Sequence, residues 1–185
     1  VARDRGVPYI LDPVGAGATQ LRTQTAQALL ALAPPTVIRG NASEIGALAN
    51  AAATTRGVDS TLVSTDVVAA AQTLARQYDT TVVVSGATDQ IVSPQQHTEV
   101  QNGDRLMSQI TGMGCNATAL LGAFAAVASP FSAAVATMAT MGVAGEVAAQ
   151  QAHGPGTFVP YFLDALAHLS VADLHAHARI VNHEP

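Results

Sequence analysis

A chain of 185 residues with 49% hydrophobic and 11% charged residues is long enough to bury one substantial core and too apolar to stay disordered. Its formal net charge is −5 and it has no cluster of Lys or Arg, which argues against nucleic-acid binding, where a basic stripe is the rule. The single cysteine, Cys115, rules out an internal disulfide and fits a reducing, cytoplasmic setting.

In chain order, VARDRG reads as the end of an amphipathic helix running into a strand. With Val1 in first place and no basic-then-apolar leader, the expectation is the later part of something longer, without a secretory signal. VPYILD (Val7 to Asp12) is a short β-prone run ending in an acid and a proline. PVGAGAT is a glycine-rich turn, and Thr19 to Ala33 shows helical spacing at Leu21, Leu29, Leu30 and Leu32, stopped by Pro34 and Pro35. TVIRG predicts a second strand, with a helix over NASEIGALAN after it. Ser64-Thr65-Asp66 offers caps for a helix reaching Tyr78.

TTVVVSG predicts a third strand, with an unbroken run of valines as a strand covered on both faces should have. QIVS and TEVQNGD predict shorter strands, with Asn102-Gly103 as a tight turn. A helix follows GMGC at Gly112, and a second one runs from Phe131 to Ala149. This last stretch is long and uncharged until Glu146, but its Ala, Thr, Ser and Gly content favours a buried helix over a membrane span. No membrane partner is therefore expected. A break at GPGTF precedes a final helix over FLDALAHL.

Strand, glycine turn and helix in alternation predict an α/β fold, one domain over 1–185, with a mainly parallel sheet covered by helices on both faces. Ligands of such sheets sit beyond the carboxyl ends of the strands. Asp12, Arg39, Ser85 and the Gly112–Cys115 turn each lie beyond a predicted strand, so all four should meet on one rim.

Each has a chemical and a plain structural explanation. At GMGC, Gly112 and Gly114 expose successive backbone N–H groups at a helix N-terminus, a ready anion site. The same partial positive charge would favour the thiolate of Cys115; alternatively, the thiol is a small apolar filler. Asp12 could hold a Mg²⁺-bound water, since Mg²⁺ keeps several waters and few direct protein ligands, or simply open a turn before Pro13. Asn41 with Glu44 three residues on makes a capping box, while Glu44 also faces the strand-end rim. Arg39 could grip phosphate oxygens. Ser85 and Gly86 suit a phosphate or nucleoside, or a simple turn. The histidines give no metal pattern: His175 and His177 point to different sides of a helix, and His168 and His183 lie on a chain end that looks solvated. Met138 and Met141 read as core packing.

Taken in order, DPVGAGAT, RGNASEI, VSGATD, NGDRLM, TGMGCNATALLGAF and GPGTF with FLDAL resemble the hydroxyethylthiazole kinase family, within the ribokinase-like superfamily. The resemblance covers essentially the whole chain. It implies transfer of the γ-phosphate of ATP to the primary alcohol of 4-methyl-5-(2-hydroxyethyl)thiazole, with Mg²⁺, in thiamine salvage. By motif it implies that Arg39, Ser85 and Asn41 belong to the ATP site and that Gly112 lies against the thiazole alcohol. Asp12 and Glu44 would organise Mg²⁺ and its waters, and Gly112, Gly114 and Cys115 would form the catalytic turn. Cys115 stands where most of the superfamily carries an aspartate.

A homotrimer with substrate sites between subunits is also implied. Met113 replaces a usual threonine and Asp104 a usual histidine. The family's N-terminal strand–helix units, which supply part of the thiazole pocket and trimer contact, have no counterpart in the chain. A non-catalytic nucleotide-binding remnant, or a kinase for another small alcohol such as that of the pyrimidine branch, are the alternatives.

Overall fold

The computed structural model describes residues 5–55 and 67–183. A single sheet orders its strands as they occur in the chain: β1 (Ile10–Leu11), β2 (Val37–Asn41), β3 (Thr81–Ser85), β4 (Asp89–Val92), β5 (His97–Val100) and β6 (Ile180–His183). The β1–β2 and β2–β3 pairs are parallel; β3–β4, β4–β5 and β5–β6 are antiparallel. The sheet is thus mixed, where a mainly parallel one was expected. A parallel neighbour needs a crossover of a dozen or more residues, and the links at 86–88 and 93–96 leave room only for hairpins.

Helices cover both faces, as anticipated. α1 (Gln20–Leu32), α2 (Ala42–Thr55) and α3 (Val67–Tyr78) lie on one side, where Leu30, Ile45, Leu48 and Leu74 pack against Ile38 and Val82. α4 (Met113–Ala125) and α5 (Pro130–Gln151) lie on the other, where Leu121, Ala133 and Ala134 meet Val37, Val83 and Ile91. Neighbouring strand residues Val82 and Val83 therefore point into different cores, which is why the three central positions of β3 are all valine. α6 (Pro155–His168) packs on α5 away from the sheet through Phe158 and Phe162, both fully buried. α7 (Val171–His177) completes the helices, with a Ser170–Asp173 capping box at its start.

The helix expected from Phe131 is α5, and it is buried as predicted: its Ala, Gly, Thr and Met residues fill the space between α4, α6 and the sheet. α1 behaves differently. Thr19 caps it and Leu30 is buried, but Leu21 and Leu32 stay 75% and 79% exposed, so the leucine spacing overstated its apolar face. The proposed Ser64-Thr65-Asp66 cap, and most of VARDRG, lie outside the described residues.

Two local expectations are corrected. Asn102-Gly103 is no hairpin turn; it leads from β5 into a 3-10 helix at Arg105–Gln109. Asn102 is buried, and its side chain accepts from Arg179 N at 2.6 Å and donates to His177 O at 2.9 Å. Those bonds steer the chain end onto the sheet, so the segment holding His183 is the edge strand β6 rather than a loose tail.

Candidate active site

The carboxyl ends of β1, β2 and β3 open onto a cavity of about 910 Å³. Asp12, Arg39, Asn41, Glu44, Ser85, Gly112, Gly114 and Cys115 all line it. The convergence expected from the sequence is therefore present, although three local assignments shift. Arg39 lies within β2 and Ser85 ends β3 rather than following it, and Gly112 follows the 3-10 helix rather than a strand.

Arg39 is the hub. Its Nη2 donates to Ser85 Oγ at 2.8 Å, and its Nη1 stands 3.6 Å from Asp12 Oδ2. The guanidinium is largely buried, and its Nε has no partner among the described residues. An unpaired buried donor is costly unless a ligand satisfies it. Arg39 also packs against the start of α4: a Cβ on Gly114 would fall 2.5 Å from Nη1. Only glycine admits this approach.

Gly112 has φ +94° and no side-chain cap, so the first-turn N–H groups of α4 have no partner within the helix. A cationic guanidinium beside the positive end of a helix makes a strong anion site.

Glu44 ties two loops together. Its Oε2 accepts from Asn41 N at 2.9 Å while Asn41 Oδ1 accepts from Glu44 N at 3.0 Å, the reciprocal capping box read from RGNASEI. Its Oε1 accepts from Gly15 N at 2.8 Å, anchoring the glycine turn after β1. Structural and rim roles coexist in one side chain. Asn41 has its oxygen committed to Glu44 N and Ser43 Oγ, and among the described residues its amide N–H groups have no partner.

The sequence reading passed over three contributors. Asp89, inside VSGATD, is buried in the cavity wall and accepts from Gly86 N at 2.9 Å. Burial pushes its pKa up to about 7, against the opposing pull of the Gly86 N–H and the Arg39 charge. Thr118 Oγ1 donates to Asp12 Oδ2 at 2.7 Å; its place three residues after Cys115 on one helix face was a usable signal. Glu146 of α5 accepts from Gly103 N and Asn102 Nδ2 and pairs with Arg179. No local pattern announced that network.

The two departures have local accounts. Asp104 caps the 3-10 helix through Leu106 N at 2.8 Å. Met113 opens α4 and packs into the apolar cluster formed with α5 and α6. Cys115 is exposed and lines the cavity. Neither His168, His175 nor His177 reaches it.

Residues 1–172 match the model of the hydroxyethylthiazole kinase family. The chain belongs to this family. Relatives named hydroxyethylthiazole kinase include those of Nitratidesulfovibrio vulgaris, 48% identical over 180 residues, and Syntrophus aciditrophicus, 51% identical over 182. Each alignment covers 97% of this chain and 67% of the relative, so the chain spans about two thirds of the length of these family members.

Among solved structures, the hydroxyethylthiazole kinase protein of Pyrococcus horikoshii OT3 superposes with a TM-score of 0.89 at 33% identity. It is matched over 99% of this chain and 68% of its own. A Staphylococcus aureus pyridoxal kinase in complex with AMP-PCP gives a TM-score of 0.56 at 21% identity over 76% of this chain and 53% of its own. That second likeness is one of fold, and both place the family member in the α/β, ribokinase-like class expected from its sequence. Kinase membership carries ATP-dependent phosphoryl transfer with it.

Proposed function

We propose that the chain transfers the γ-phosphate of ATP to the primary alcohol of 4-methyl-5-(2-hydroxyethyl)thiazole. The observation that carries this reading is the unpaired Nε of Arg39, buried beside an uncapped helix N-terminus in the shared cavity. Phosphoryl transfer demands little covalent chemistry of a protein; it demands positioning and charge stabilisation. Arg39 and Ser85 hold the triphosphate, with Asn41 at the same rim. The first-turn amides after Gly112 receive the phosphoryl oxygens, and Gly112 lies against the alcohol.

The donor set suits Mg²⁺. Asp12 and Glu44 offer hard carboxylate oxygens, each already orienting by hydrogen bonds and each able to accept from metal-bound water. Such an ion, held there, offsets charge on the phosphates. Cys115 in the first turn of α4 takes the hydroxyl proton as the new O–P bond forms and ADP departs, a step worth typically 10²- to 10⁴-fold. The resemblance also supports a homotrimeric, cytoplasmic enzyme with substrate sites shared between subunits.

Binding of ATP by calorimetry, followed by a phosphorylation assay on the thiazole alcohol and on the pyrimidine alcohol, tests the reading. Thiazole turnover is expected. ATP binding without turnover, or preference for the pyrimidine alcohol, overturns it.

A further inference from the structure

The outer edge of the sheet carries a cluster that the kinase cavity does not use. In the antiparallel β5–β6 pair His97 stands opposite His183. Strand alternation puts Glu99 on the same face as His97. The two imidazole rings stack, with centroids 4.4 Å apart and planes 16° from parallel. His183 Nε2 lies 3.2 Å from Glu99 Oε1. A ring nitrogen of each histidine and a carboxylate oxygen of Glu99 all fall within 4.8 Å of one another. None of the three lines the cavity.

The neighbouring strand orients these groups. Gln90, paired with Glu99 across β4–β5, places its Oε1 2.7 Å from His97 Nε2 and its Nε2 3.4 Å from Glu99 Oε1. Gln101 Nε2 donates to the other Glu99 oxygen at 3.3 Å. Outer contacts of this kind fix ring orientation and sharpen ligand basicity in metal sites.

We propose that His97, Glu99 and His183 bind a zinc-class divalent cation that pins β6 to the sheet. Two imidazoles with one carboxylate suit Zn²⁺ and its first-row neighbours, whereas Mg²⁺ prefers oxygen alone. Three protein ligands leave the fourth tetrahedral position to water. Bonds of 2.0–2.1 Å put tetrahedral donors about 3.3 Å apart; His183 Nε2 and Glu99 Oε1 already stand at 3.2 Å, and the remaining pairs close by at most roughly 1.5 Å. His183 sits on a strand exposed at every residue, which gives that movement room on the solvent side among the described residues. β6 has little burial to hold it, so a cross-strand cation adds what packing does not.

The test is titration of Zn²⁺ alone into the full chain, carried on a Cys115→Ser background so that the exposed thiol does not compete. One equivalent is expected to bind, to raise Tm, and to persist in excess Mg²⁺. His183→Ala, at an exposed position, and His97→Ala should each abolish binding and the Tm rise, and Gln90→Leu should weaken affinity ~10-fold. A double His175→Ala/His177→Ala variant should bind like the parent. No binding, displacement by Mg²⁺, or binding that survives His183→Ala overturns the proposal.

Discussion

The guanidinium of Arg39 occupies the space that a side chain on Gly114 would need, its Nη1 being 2.5 Å from where a Cβ would stand. An arginine from the middle of β2 is thereby pressed onto the first turn of α4. Gly114 is helical, so its absent side chain, rather than its backbone freedom, makes the contact possible.

Gly114→Ala should therefore act on function without weakening the fold. Alanine is a better helix former than glycine by ~1 kcal/mol, and the atom it displaces is the tip of a flexible side chain. Losing the Arg39–Ser85 bond should lower kcat/KM for ATP at least ~10-fold, about 1.4 kcal/mol of transition-state stabilisation. Steady-state kinetics at varied ATP, alongside urea unfolding, measure both. Unchanged kinetics would remove Arg39 from its assigned place.

Cys115 as proton acceptor makes a paired prediction. Cys115→Ala should cut turnover by ~10²-fold or more while leaving ATP affinity intact. Cys115→Asp should retain activity or raise it, because a carboxylate can take the same proton. An inert Asp variant beside an unaffected Ala variant would refute the role.

Asp89 should impose an adverse pH dependence on stability. Its pKa rises from 3.8 to about 7 in the fold, chiefly through burial. Between those values the native state holds a proton that the unfolded state has lost, so stability falls as pH rises from about 4 to about 7. Asp89→Asn cannot ionise and retains an oxygen for Gly86 N. Relative to the parent it should gain stability across that window, on the order of 2–4 kcal/mol by pH 8. Urea midpoints of both proteins at pH 5 and pH 8 decide; an equal gap at the two values sinks the assignment.

Glu146 should show the opposite sign. Burial alone would raise its pKa, but Arg179, Gly103 N and Asn102 together hold it below the ordinary range. It therefore contributes stability above its unfolded-state pKa that is lost as pH falls through the lowered value. Glu146→Gln should cost ~1 kcal/mol at pH 7, a charge-assisted bond weakened by partial exposure, and the cost should shrink as pH falls through the lowered value. A Tm series against pH checks this, and a cost independent of pH speaks against it.

Much of the site was legible before any coordinates. RGNASEI announced its capping box, and Glu44 and Asn41 form it. GMGC announced a glycine turn opening a helix, and Gly112 adopts a left-handed conformation there. Each signal is complete within a few residues, so local chemistry suffices to read it. The mixed sheet was harder: QIVS and TEVQNGD were recognised as strands, but direction follows from loop length, and the edge strand β6 has four exposed residues with no apolar face to mark it. Asp89 stood in plain view inside VSGATD, but nothing local said that it would be buried.

The sequence by itself determined most of the elements, the order of the motifs along the rim, and the family. Period-two and period-3.6 patterns, caps and glycine turns act over one or two turns of chain, so they survive without the fold. Only the tertiary structure decided which groups touch. Arg39 meets Ser85 across 46 positions and Thr118 meets Asp12 across 106. Contacts at such separations arise from sheet order and helix packing, which bring distant carboxyl ends together, and no stretch of the chain encodes them alone.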